Sequence, residues 1–240
     1  TGTTDIVVTV EKRKEVNGSF AVDNFGSQFA RTRAHAGASV TNRLGRGSVF
    51  SLNTVRSLNS NNLYYYNASY SIPLNAKGSS IGVYGLAGDF GVGKEFAILD
   101  IQGKATAKGL FFNHVLKADS QHKAQVQFGL DIKDSKQNIL GMTSSKDAIR
   151  SLRLEWNRLA EGPSGRTYAT LGFQMGLGDA LGAMADNDPL SSRSHAGADN
   201  NFMKLNFEYG RVKRLGPRSM LVARFSGQHS SQDLVVGEQM

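Results

Sequence analysis

The run Gly88-Asp89-Phe90-Gly91-Val92-Gly93-Lys94 has the glycine spacing of a phosphate-binding loop, in which backbone amides cradle phosphates and a lysine reaches them. The next residue is Glu95, where such a loop needs a Ser or Thr hydroxyl for magnesium, and no amphipathic helix follows. His229-Ser230-Ser231 offers a serine beside a base, the pairing that barrel phospholipases use for nucleophilic attack. No third group that would orient the histidine is recognisable. His35, His114, His122 and His195 stand apart without metal-ligand spacing, and Asp186-Asn187-Asp188 lacks the glycine and distal glutamate of a calcium loop. We therefore assign no catalytic, cofactor or metal site and expect a protein that is not an enzyme.

The segments around these residues alternate apolar and polar positions, which is a strand period. At 166–178, Ala169, Leu171, Phe173, Met175 and Leu177 share one face, and Tyr168, Thr170, Gly172, Gln174 and Gly176 the other. At 202–210, Met203, Leu205, Phe207 and Tyr209 oppose Lys204, Asn206 and Glu208. Val126, Phe128, Leu130 and Ile132 oppose Gln125, Gln127, Asp131 and Lys133; Leu221, Ala223 and Phe225 oppose Val222, Arg224 and Ser226. Tyr64, Tyr66, Ala68, Tyr70 and Ile72 oppose Asn67, Ser69 and Ser71, and Leu152, Leu154 and Trp156 oppose Arg153, Glu155 and Asn157. Weaker alternation at 19–24, 31–40, 49–58, 80–90 and 104–116 brings the expectation to about eleven strands.

The connections between them are unequal in a regular order. Short ones at 41–48, 74–80, 117–123, 160–166 and 212–219 are interleaved with longer or less regular ones at 91–103, 134–147 and 178–201. An antiparallel transmembrane β-barrel does this, with tight turns on its periplasmic rim and loops on its extracellular rim. A soluble β-sandwich also alternates, but its wet face carries mostly Lys, Glu and Thr and its aromatics are buried. Here the wet face is rich in Gly, Ser, Asn and Gln, and aromatics such as Tyr64, Tyr65, Tyr66, Phe111, Phe112 and Trp156 gather toward segment ends, as in an interfacial girdle.

Composition is compatible with this. Only 40% of the 240 residues are hydrophobic, and no stretch approaches the ~18 apolar residues of a spanning helix, but a barrel strand needs an apolar residue only at every second position. The net charge of +8 is scattered along strands and turns, which argues against nucleic acid as a partner. Arg211, Lys213, Arg214 and Arg218 do gather at one short turn, where lipid head groups or polar periplasmic partners could meet them. The chain has no cysteine, which suits passage through an oxidising compartment. Residues 1–15 lack the charged and apolar regions of a signal peptide.

Asp23-Asn24-Phe25-Gly26-Ser27, then Arg31 and Arg33, then Asn42-Arg43-Leu44-Gly45-Arg46-Gly47-Ser48 resembles the opening of the barrel in two-partner secretion translocators. Tyr70-Ser71-Ile72-Pro73-Leu74 and, at the end, Gly227-Gln228, Leu234 and Gly237-Glu238-Gln239 extend the resemblance in order across the chain. It implies a barrel of about sixteen strands in a Gram-negative outer membrane, preceded by two periplasmic POTRA domains. Residues 1–15, with Ile6, Val7, Val8 and Val10, would be the tail of the second such domain, and 16–240 the first eleven or so barrel strands. The implied partner is a large secreted exoprotein (an adhesin, haemolysin or contact-dependent toxin), with outer-membrane lipid or lipopolysaccharide around a monomeric barrel. Because an open sheet edge in lipid leaves backbone groups unpaired, we expect the segment to be part of a longer chain. Gln125, Gln127, Asp131, Lys204, Glu208 and Arg224 are the expected wall of the translocation path, and Asp23, Asn24, Gly26 and Ser27 an element marking the barrel's start. A passive porin, an outer-membrane insertase and a soluble β-rich binding domain are the alternatives.

Overall fold

The computed structural model describes residues 15–26, 31–58, 63–91 and 98–239. They form eleven strands: β1 Val16–Asp23, β2 Arg33–Thr41, β3 Val49–Ser57, β4 Tyr64–Pro73, β5 Ser79–Gly91, β6 Gln102–Ala118, β7 His122–Ile139, β8 Met142–Gly162, β9 Gly165–Gly176, β10 Met203–Arg214 and β11 Met220–Ser230. All lie in one antiparallel sheet whose order in space is their order in the chain. Each strand therefore pairs with its sequence neighbour, the up-and-down topology that the alternating connections predicted. The expected POTRA tail lies, apart from Glu15, outside the described residues. No helix among them is long and apolar enough to cross a membrane, which leaves crossing by strands untouched.

Residues directly opposite in an antiparallel ladder share a face, so the register resolves the sheet into lateral rows. Ile81, Phe112, Phe128, Leu154, Phe173 and Leu205 form one apolar row across β5 to β10. Asn113, Gln127, Glu155, Gly172, Asn206 and Gln228 form a polar row across β6 to β11 on the other face. The alternation thus separates into an apolar and a polar surface with the faces read from the sequence. Nothing among the described residues packs as a second layer on the apolar rows, and Phe128 and Ile81 stay 51% and 42% exposed. Apolar rows left bare on a single sheet are solvated by lipid.

One predicted connection is wrong. Residues 134–147 are not a loop: β7 and β8 run on as a hairpin closed by Leu140 and Gly141, at φ 53° and 75°. Positive φ at both positions is the type I′ geometry that matches strand twist. This hairpin outruns its neighbour, because β9 ends at Gly176, opposite Ser151. The bare edge of β8 is covered by the long connection between β9 and β10. Its backbone supplies Leu177 N–H to Arg150 O (2.9 Å) and Met184 N–H to Ala148 O (2.9 Å), and Leu190 O accepts from Lys146 N–H (2.6 Å). Arg150 fastens the same loop from its side chain, donating to Leu181 O (3.1 Å), Gly182 O (3.2 Å), Lys133 O (2.9 Å) and Asp134 Oδ1 (2.9 Å). Ala148, Ile149, Met184, Ala198, Phe202, Leu234 and Val235 make the small apolar core at this rim.

Candidate functional site

The polar face is held by three linked side-chain groups. In the first, Asp131 on β7 is 2% exposed and accepts from Tyr84 Oη on β5 (2.7 Å) and Arg153 Nε on β8 (3.0 Å). Arg153 also donates to Gln127 Oε1 (2.5 Å), and Gln127 passes its amide to Asn113 on β6 (2.7 Å). Tyr84, Gly109 and Asp131 are successive members of one lateral row, so the tyrosine reaches its carboxylate across Gly109. A Cβ at Gly109 would stand 2.7 Å from the Tyr84 ring and 2.4 Å from Leu130 O. Only glycine leaves this path open.

The second group repeats the device. Tyr168 lies over Gly210, where a Cβ would be 2.0 Å from its ring, and donates to Glu208 Oε1 (2.9 Å). Arg224 on β11 meets the same carboxylate at 2.9 Å through Nε and 2.8 Å through Nη2.

The third group ties the segment after β11 to the sheet. Residues 231–239 turn back over the polar face, and the 3-10 turn Val236–Glu238 places Glu238, 3% exposed, between two lysines. Its carboxylate is 2.5 Å from Lys133 Nζ on β7 and 2.5 Å from Lys204 Nζ on β10, and its carbonyl accepts from Lys204 (3.1 Å) and Gln228 (3.0 Å). Burial pushes the Glu238 carboxyl up, but the charges and hydrogen bonds of Lys133 and Lys204 outweigh it and hold its pKa below the ordinary carboxylate value.

Asp131, Gln127, Lys204, Glu208 and Arg224 therefore lie on one polar face and are drawn into hydrogen-bonded groups, whereas Gln125 is on that face, exposed, opposite Asn157. Tyr84, Arg153, Asn113, Tyr168, Lys133, Gln228 and Glu238 were not anticipated as site residues, and two of them show why. Tyr84 sits in a segment of weak alternation, and the role of Glu238 depends on partners 105 and 34 residues away. At the start of the sheet Asp23 ends β1, accepts Phe25 N–H (3.0 Å) and pairs with Arg33 (3.0 Å), with His35 Nε2 2.6 Å away. Asn24 is exposed beside it, Gly26 N–H bonds Arg31 O (3.2 Å), and Ser27 lies outside the described residues. This element is a turn brace.

The chemical coincidences come apart on the same geometry. His229 shares a row with Leu205 on the apolar face, so its neighbour Ser230 points the other way, and Ser231 Oγ accepts Met203 N–H (2.9 Å). Gly88 to Gly91 are ladder residues of β5 paired to β6; Gly93 and Lys94 lie outside the described residues. No group of residues among those described could hold a metal ion.

A family model described as haemolysin secretion/activation protein ShlB/FhaC/HecB matches residues 2–240. The chain belongs to this family. As a ShlB/FhaC/HecB chain it is a β-barrel protein of the Gram-negative outer membrane. Its fold is that of CdiB from Escherichia coli, with a TM-score of 0.78 at 18% identity over 95% of this chain and 42% of the other. CdiB from Acinetobacter baumannii gives 0.68 at 16% over 93% and 40%. BamA from Haemophilus ducreyi lacking POTRA domains 1–3 gives 0.62 at 15% over 93% and 42%. The chain thus spans about two fifths of the length of the solved structures it resembles. No curated protein sequence matches it.

Proposed function

We propose that residues 16–240 form part of the wall of an outer-membrane channel that exports a large partner exoprotein, with 1–15 closing a periplasmic POTRA domain. The reading is carried by the pairing of charge on the polar face. Asp131 and Glu155 face Arg153, Glu208 faces Arg224, and Glu238 faces Lys133 and Lys204, so in these groups four carboxylates meet four cations and a passing chain meets hydrogen-bonding groups instead of fixed net charge. Gln125 and Gln127 add neutral amides. A wall of this kind binds any one segment weakly, and weak, repeated contact lets an unfolded polypeptide move on without nucleotide hydrolysis. The family description, a secretion and activation protein, supports the same reading. Adhesin, haemolysin and contact-dependent toxin are the cargo classes it takes in.

The test is secretion of the large protein encoded beside the full-length gene, measured in culture medium with and without an intact copy of this barrel. Loss of that exoprotein alone supports a dedicated translocator. Unchanged secretion with a general fall in outer-membrane proteins or in solute uptake makes the protein an insertase or a porin instead. Within the wall, Glu208→Lys and Arg224→Glu singly should each lower secretion several-fold, and the double exchange, which restores the pair, should recover it. Equal secretion from all three sinks the role of charge pairing.

A further inference from the structure

On the apolar face the long-loop side carries an arrangement that the sheet alone does not favour. Lys104 on β6, Lys136 on β7 and Lys146 on β8 are directly opposite one another, a lateral row of three lysines on adjacent strands. Opposite positions on one face lie about 5 Å apart at Cβ, and like charges placed so repel. All three are exposed. The acidic groups nearby do not balance them: Asp89 stands at the end of the row, 3.5 Å from Lys104, and Asp134 is taken by Arg150. Lys136 and Lys146 make no ion pair with any described residue, and Lys108 adds a further exposed lysine on the same face of β6, two repeats of the pleat below, in the row of Ile132.

The height of the row says what could neutralise it. The row of Phe112 and Phe128 lies near the middle of the apolar band, which Lys108 and Lys117 bound on β6. Lys104 is eight positions from Phe112, about 26 Å along the strand, or about 19 Å along the membrane normal at a tilt of about 45°. The apolar band of an outer-membrane barrel is about 25 Å tall, so the row stands about 6 Å beyond its edge, among head groups. Its side is the rim of the longer loops, which faces outward. We propose that Lys104, Lys136 and Lys146 form a binding site for the phosphorylated glucosamine head group of lipid A in the outer leaflet. The ammonium groups answer the phosphates as charge-assisted donors, and the apolar rows below take the acyl chains.

The full-length protein is reconstituted in phosphatidylcholine nanodiscs containing 10 mol% lipid A, and bound lipid is counted by native mass spectrometry. Phosphate-free lipid A, phosphatidylglycerol and inorganic phosphate are run in parallel. Lipid A should be retained in preference to its phosphate-free form, with affinity falling about fivefold per lysine removed, so about 25-fold for Lys136→Gln/Lys146→Gln. Lys136→Arg should keep it. In lipid A-free detergent, Lys136→Gln should raise the unfolding temperature by relieving repulsion, and in lipid A discs it should lower it. Equal retention of the phosphate-free form overturns the site, as does phosphatidylglycerol binding as tightly as lipid A, or a Lys136→Gln effect of the same sign in both media. Displacement of lipid A by millimolar inorganic phosphate reduces the row to a general anion site and also overturns the proposal.

Discussion

Strands β1 to β4 run 8, 9, 9 and 10 residues, whereas β6, β7 and β8 run 17, 18 and 21. A tilted strand needs about 9–11 residues to cross the hydrocarbon. The first region is therefore close to the minimum that spans, and its side chains need only alternate. The second continues past the bilayer into water, where lipid no longer stabilises it and it must supply its own packing. It does so with the loop on the β8 edge, the Arg150 anchors and the apolar cluster around Phe202 and Val235. Length beyond the membrane and buried polar side chains occur together for this reason: Asp147, Arg150, Ser151, Lys204 and Glu238 are all buried, and none is in β1 to β4.

The contrast predicts where substitutions hurt. Arg150→Ala removes donors to Leu181 O, Gly182 O and Lys133 O together with the pair to Asp134, and should loosen the 178–201 loop by about 3 kcal/mol. Limited proteolysis of folded barrel should then cut that loop and spare the β1–β4 region; uncut loop at wild-type rates would show that the extended hairpin does not depend on it. Glu238→Gln leaves Lys133 and Lys204 without their shared carboxylate and should free residues 231–239 at a cost of about 2 kcal/mol. Labelling of Val235→Cys, at a position 2% exposed while the segment is docked and in a chain with no native cysteine, reads this out. The pH dependence has a definite sign. The carboxyl's folded value lies below its unfolded one, so its contribution is present above the unfolded value and is lost as pH falls through the folded one. Because only the thiolate reacts, labelling is taken relative to the same cysteine in the unfolded chain at each pH. On that scale it should stay suppressed at neutral pH and rise only in acid below the usual carboxylate range, and a relative rise near pH 7 would contradict the tie.

A smaller effect sharpens the comparison. Gly109→Ala puts a methyl group 2.4 Å from Leu130 O and should destabilise the barrel by about 1–3 kcal/mol. Gly18→Ala, on β1, meets nothing nearer than Gly37 O at 3.8 Å and should stay within about 0.5 kcal/mol. Heat-modified gel mobility against temperature compares them, and equal losses would mean that the short strands are as tightly packed as the long ones.

What the sequence disclosed follows the same division. Where a strand lies in lipid, one face must be apolar, and all eleven strands left that mark. Where β7 and β8 leave the bilayer, both faces are wet, so Ser135, Lys136, Gln137 and Asn138 carry no period and read as loop. The polar face was legible as a set of positions because Asp131, Lys204 and Glu208 could not face lipid without cost. Which of them touch was not. Glu238 reaches Lys133 only through the return of residues 231–239 across the sheet, and Tyr84 reaches Asp131 only because Gly109 lies between them in the register.

Tyr84 and Tyr168 each occupy the space above a glycine on the neighbouring strand. A ring stowed in that way does not stand into the passage, and its hydroxyl is already spoken for by a carboxylate. If the wall carries a polypeptide as proposed, these two tyrosine rings become part of its floor. Bulky and small cargo residues would then meet a similarly smooth bore, so transit would depend little on which residue is passing.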